Sequence, residues 1–143
     1  MSDSFDLRRF VEAQEPIYRQ VVEELSHGRK QTHWMWFVFP QIAGLGSSAM
    51  ARRFSIGSRA EAVAYLLGPR LIECTQLVMS SSESTITDIL GSPDDIKFRS
   101  CMTLFDAVSQ HGVFSEALAA FYSDGKDPAT LAILGSARPT LGE

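Results

Sequence analysis

A mainly α-helical single domain is the fold class this sequence predicts, and three observations predict it. Apolar residues recur at three- and four-residue intervals along most of the 143 positions. Helix-start signals punctuate them: Ser58 with Glu61 forms a capping box, and Thr85 with Asp88 repeats the spacing. Period-two alternation is nowhere sustained, and no internal repeat of useful length is present. The expected architecture is about eight short helices around one core. A short buried strand stays open as a reading of one aromatic stretch.

Taken in order, residues 5–27 carry Leu7, Phe10, Val11, Ile17, Val21, Val22 and Leu25 near one helical stripe, interrupted by Pro16. A proline removes a backbone donor and restricts its predecessor, so two helices are expected, over 4–13 and 16–27, with Gly28 as the stop. Gly44 and Gly46 break the chain before a short helix capped by Ser47 or Ser48. Ser58 opens the next helix, with Val63, Leu66 and Leu67 on it and Gly68 closing it. Pro69 restarts a helix through Leu71, Cys74, Leu77 and Val78. Serines 80, 81, 82 and 84 are a polar break, and Thr85 caps a short helix that ends at Gly91.

Ser92-Pro93-Asp94-Asp95 then reads as a cap, a first-position proline and two acids on the positive end of the helix dipole. Phe98, Cys101, Met102, Phe105 and Val108 mark the buried face of that helix, and Phe114, Ala117, Leu118 and Phe121 mark the next. Asp127-Pro128 caps a last helix through Leu131 and Leu134. The domain is expected to span 1–143, with its ordered core at 4–134 and a tail at 136–143 that has little to bury.

Composition narrows the function classes. A hydrophobic share of 45% and a charged share of 21% are those of a soluble globule. A net charge of −4 argues against nucleic acid or an anionic membrane as partner, although a local basic pocket is compatible with it. There is no signal-peptide pattern and no membrane-length apolar run, so the expected location is cytoplasmic. Cys74 and Cys101 sit in apolar helical patterns without C-x-x-C spacing, as buried reduced thiols do. His27, His33 and His111 are scattered, so neither a metal nor any other cofactor is expected. A Gly-x-Ser-x-Gly elbow is also missing.

The stretch from Lys30 to Ser48 organises the rest. His33-Trp34-Met35-Trp36-Phe37-Val38-Phe39-Pro40-Gln41 holds both tryptophans, and Gly44-Leu45-Gly46-Ser47-Ser48 follows it. Every position from Trp34 to Phe39 is apolar, so periodicity does not separate a buried strand from a buried helix. This string resembles the signature of a bacterial domain-of-unknown-function family, His-Trp-x-Trp-Phe-x-Phe-Pro-Gln. Glu61 to Leu66, Pro69-Arg70-Leu71 and Asp95 to Phe105 fit the same pattern, so the resemblance runs from Phe10 to Leu134. It implies a small, mainly helical, free-standing cytoplasmic domain, with no established activity, cofactor or catalytic residue. Some members carry the label calpastatin. That label conflicts with a core-forming composition, because calpastatin-type inhibitors are disordered and polar.

The candidate site gathers around the same stretch. Trp34 and Trp36 would wall a pocket, and the turn of Gly44, Gly46 and Ser47 would floor it with backbone N–H groups that suit phosphate. Lys30, Gln41 and Lys97 would supply polar contacts, while His33 and Asp95 are the candidate proton carriers. The expected ligand is an anionic, phosphate-bearing or nucleotide-like small molecule. Against this stands a plainer account for each feature: tryptophans as core anchors, the glycines as a tight turn, and Asp94, Asp95 and Lys97 as helix-end charges. Arg70, in a first turn after Pro69, could reach a pocket or stay solvated. The alternative function is a non-enzymatic interaction module, with the aromatic stretch as core or partner surface.

Overall fold

The computed structural model describes residues 3–136, and the regular elements among them are all helices. Its elements are α1 Arg8–Gln14, α2 Tyr18–Ser26, α3 Met35–Val38, α4 Ala49–Arg53 and α5 Arg59–Tyr65. They continue as α6 Arg70–Met79, α7 Ile86–Leu90, α8 Asp94–Val108, α9 Val113–Phe121 and α10 Pro128–Ser136. Ten helices among the described residues replace the expected eight or so. The expected tail lies, from residue 137, outside the described residues.

Local chemistry sets most of the boundaries. Pro16 separates α1 from α2 as its geometry requires. The first helix starts at Arg8, later than residue 4, and the Asp3 carboxylate accepts from the backbone N–H groups of Leu7 (2.7 Å) and Arg8 (2.9 Å) at its start. Gly28, at φ +75°, ends α2 in the left-handed conformation that a glycine adopts without strain. Ser48, Ser58 and Thr85 each accept from the N–H three residues on, and Asp127 does the same for Thr130. Ser92 does not cap: the residue at the cap position is Pro93, and the first turn of α8 carries Asp94 and Asp95.

Helix α8 is the axis of the core. Phe98, Cys101, Met102, Leu104 and Phe105 are fully buried, and α5, α7, α9 and α10 pack around them. Burial of each of the larger side chains contributes about 1.5–3 kcal/mol. Cys74 and Cys101 are free and buried, and desolvation pushes the Cys74 thiol up to about 11 and the Cys101 thiol well above its ordinary value.

The aromatic stretch is a helical turn and no strand. Residues Met35–Val38 form α3, and the extended backbone that follows makes only a single parallel bridge, Ile42 to Ile56. Trp34, Met35, Phe37, Val38 and Phe39 all enter the core, whereas Trp36 is only half-buried. So short a helix is not stable by itself. Its exposed backbone groups are met by side chains from elsewhere, and those side chains are what place the site.

Candidate functional site

The loop before α3 is built on one buried acid. Glu24, on α2, is 5% exposed, and its carboxylate accepts five hydrogen bonds. The backbone N–H groups of Gln31 (2.8 Å) and Thr32 (3.1 Å), the Thr32 hydroxyl (2.7 Å) and the Trp34 indole (2.9 Å) come from the loop. The fifth comes from Gln20, one turn back. Burial alone would raise this carboxyl's pKa, but the hydrogen bonds to its charged form outweigh burial and hold it at about 2. At neutral pH Glu24 is therefore an anion that locks residues 31–34 in place.

That lock presents two side chains to a cleft of about 360 Å³ beside the start of α8. Lys30 and His33 enter from the loop, Trp36 from α3, Pro93 from the α7–α8 junction, and Asp94 and Lys97 from the first turn of α8. Lys30 is nearly buried: its Nζ lies 2.9 Å from Asp94 Oδ2 and 5.2 Å from the centre of the Trp34 ring. Lys97 is held more loosely, with its Nζ 3.9 Å from Asp94 Oδ1 and 5.4 Å over Trp36. Two lysines thus share one carboxylate, which leaves the trio with an excess of positive charge. The Lys97 ammonium retains N–H donors that Asp94 does not take up.

The expected site residues fall into three groups. Lys30, His33, Trp36 and Lys97 line the cleft together. Gln41 and Gly46 line an adjoining crevice of about 10 Å³, no larger than a water, which shares Met35, Trp36 and Lys97 with the cleft. Trp34, Gly44, Ser47 and Asp95 line neither. Trp34 is core, with its indole N–H spent on Glu24. Gly44, at φ +106°, serves the turn, and Gly46 admits close packing, since a Cβ there would sit 2.5 Å from that of Ala51. The Asp95 carboxylate accepts from the Thr87 hydroxyl and from the N–H of Ile96, so it closes its own helix end. Asp94 takes the acidic place in the cleft.

The two residues that hold α3 were not singled out by the sequence. Glu24 and Gln14 were both readable as polar interruptions of an apolar stripe, at four- and seven-residue spacing from Phe10 and Leu7 for Gln14, and from Ile17 for Glu24 with Val21 between. Gln14 works at the other end of α3, where its Nε2 donates to the Phe37 carbonyl (2.6 Å) and to the Tyr65 hydroxyl (2.9 Å). The Tyr65 hydroxyl in turn reaches the carbonyls of Phe37 and Val38. Desolvation raises the Tyr65 pKa, so the phenol stays neutral. Among the described residues no group of three His, Cys, Asp or Glu side chains could hold a metal ion, and no helix is long and apolar enough to cross a membrane.

Comparison with known proteins gives a consistent picture of the fold. The family described as "Protein of unknown function (DUF1810)" matches residues 4–134. The crystal structure of the conserved hypothetical protein Rv1873 from Mycobacterium tuberculosis is similar, with 54% sequence identity and a TM-score of 0.90. That likeness covers 93% of this chain and 99% of the other. No curated protein matches.

Proposed function

We propose, for a chain that belongs to the DUF1810 family of proteins of unknown function, that the cleft at the start of α8 binds an anionic small molecule bearing phosphate. The observation that carries this reading is the pair of lysines sharing Asp94 beside a half-buried indole. A phosphate group gains charge-assisted hydrogen bonds from Lys97 and needs to displace only a loose ion pair to do so. Lys30, pinned by Asp94 and Trp34, supplies a fixed positive field. The Trp36 ring gives the uncharged part of a nucleotide-like ligand an apolar wall, and Asp94 offers an acceptor to its hydroxyls. Within this reading His33, on the rim, is the proton carrier, and Asp95 is a helix-end residue bound to Thr87.

Thermal unfolding with nucleoside mono- and diphosphates, ADP-ribose and sugar phosphates tests it. A ligand at about 100 times its Kd stabilises the folded chain by about 2.7 kcal/mol, a rise of several degrees in Tm. The rise is expected for at least one compound and is expected to vanish in Lys97→Ala. No rise with any of them, or a rise that Lys97→Ala leaves unchanged, refutes the assignment.

A further inference from the structure

Between α1, α5 and the first turn of α6 lies a second cavity, of about 220 Å³, which shares no lining residue with the first. Its walls are Leu7, Phe10, Val11, Ala64 and Leu71, and the edge of Tyr65 contributes to them. Val11 is 53% exposed at the rim, apolar surface left in water. The volume exceeds the roughly 150 Å³ at which an apolar cavity takes up benzene. It is too small for a nucleotide-sized ligand, for which pockets start at about 300 Å³.

One cation faces this apolar space. The Arg70 guanidinium lies 4.3 Å over the Tyr18 ring, and a long 3.4 Å contact joins it to the Gln14 amide oxygen. These contacts hold it beside the cavity. Its acidic partner is Glu15, whose side chain is 64% exposed and therefore cheaply moved into water. Among the described residues no other carboxylate pairs with Arg70. A rigid, planar fork of donors with a replaceable carboxylate, at the mouth of a small apolar cavity, matches one ligand class.

We infer that the cavity between α1, α5 and α6 binds a small monocarboxylate with an apolar body, its carboxylate replacing Glu15 on Arg70 and its body lying against Phe10, Val11 and Leu71. The Glu15 side chain is then a built-in competitor, which sets the affinity without touching the ligand. That feature separates a built site from an incidental hollow, because removing the competitor must strengthen binding.

Titration by NMR with benzoate and 4-methylpentanoate, beside benzamide and 4-methylpentanamide, tests this. Both carboxylates are expected to shift the resonances of Val11, Tyr65 and Leu71 in a saturable way, and both amides to bind at least about tenfold more weakly, the loss of a charge-assisted bond. Arg70→Gln is expected to abolish the shifts, and Glu15→Gln, a change at an exposed position, to tighten binding several-fold. Equal binding of acid and amide, no saturable shift at millimolar carboxylate, or unchanged or weaker binding in Glu15→Gln overturns the proposal.

Discussion

The two ends of α3 are held by opposite chemistry. At the N-terminal side the loop offers donors, and the structure answers with a carboxylate, Glu24. At the C-terminal side the helix offers carbonyls, and the answer is an amide and a phenol, Gln14 and Tyr65. Four residues of helix could not settle their own ends, and each clamp supplies what the backbone polarity there demands. The clamps differ in a second respect: one is charged and gathers five bonds on a single group, while the other is neutral and spreads its bonds over two. Each also serves one cavity. Glu24 fixes the loop that carries Lys30 and His33, and Gln14 and Tyr65 line the hollow beneath Arg70.

The charged clamp is therefore expected to be the costlier one to disturb. Glu24→Gln keeps the shape but removes the charge and sets an amide donor against the Gln20 and Thr32 donors. A loss of about 2–3 kcal/mol in stability by denaturant titration is expected, because the remaining bonds lose their charge assistance. A loss no greater than that of a surface substitution would show that the loop is held by packing alone.

Acid should sharpen the same contrast. The Glu24 carboxyl is held at about 2 in the folded chain against an ordinary value of 4.5. Between those values the unfolded chain takes up the proton first, so falling pH favours unfolding through that window. Asp3 and Asp127, whose pKa values are also lowered, contribute to the same slope. The informative quantity is therefore a difference: the fall in stability from pH 4.5 to pH 2 is expected to be shallower in Glu24→Gln than in the unmodified chain. Parallel slopes would mean that Glu24 has no depressed pKa.

The legible and illegible parts of this chain divide by the range of the interaction. Caps at Ser48, Ser58, Thr85 and Asp127 act over three residues; spacing gave away Ser58 and Thr85, the following proline gave away Asp127, and Ser48 was legible only as one of two candidates with Ser47. The packing of α8 followed from its apolar spacing. The clamps were hidden because Glu24 bonds seven to ten residues ahead and Gln14 reaches across 51 residues to Tyr65. For the same reason the fates of Trp34 and Trp36 were unreadable: in an all-apolar string, which ring faces the core depends on where the distant clamps set the turn. Lys30 and Lys97 were expected to share a pocket, but the acid they share, Asp94, was read as a helix-end charge.

The smallest effect should come from the neutral clamp. Tyr65→Phe deletes a hydroxyl that reaches the carbonyls of Phe37 and Val38, yet the Phe37 carbonyl keeps its 2.6 Å bond from Gln14. The Val38 carbonyl and one Gln14 N–H lose their partner while the Phe37 carbonyl does not, so a loss of about 1–2 kcal/mol is expected. The phenol stays protonated in acid, because burial raises its pKa. The variant's stability should therefore run parallel to that of the unmodified chain from pH 4.5 to pH 2, offset by a constant. A pH-dependent offset would show that the two ends of α3 are coupled through the turn itself, since loosening one clamp would then change how tightly Glu24 is gripped at the other.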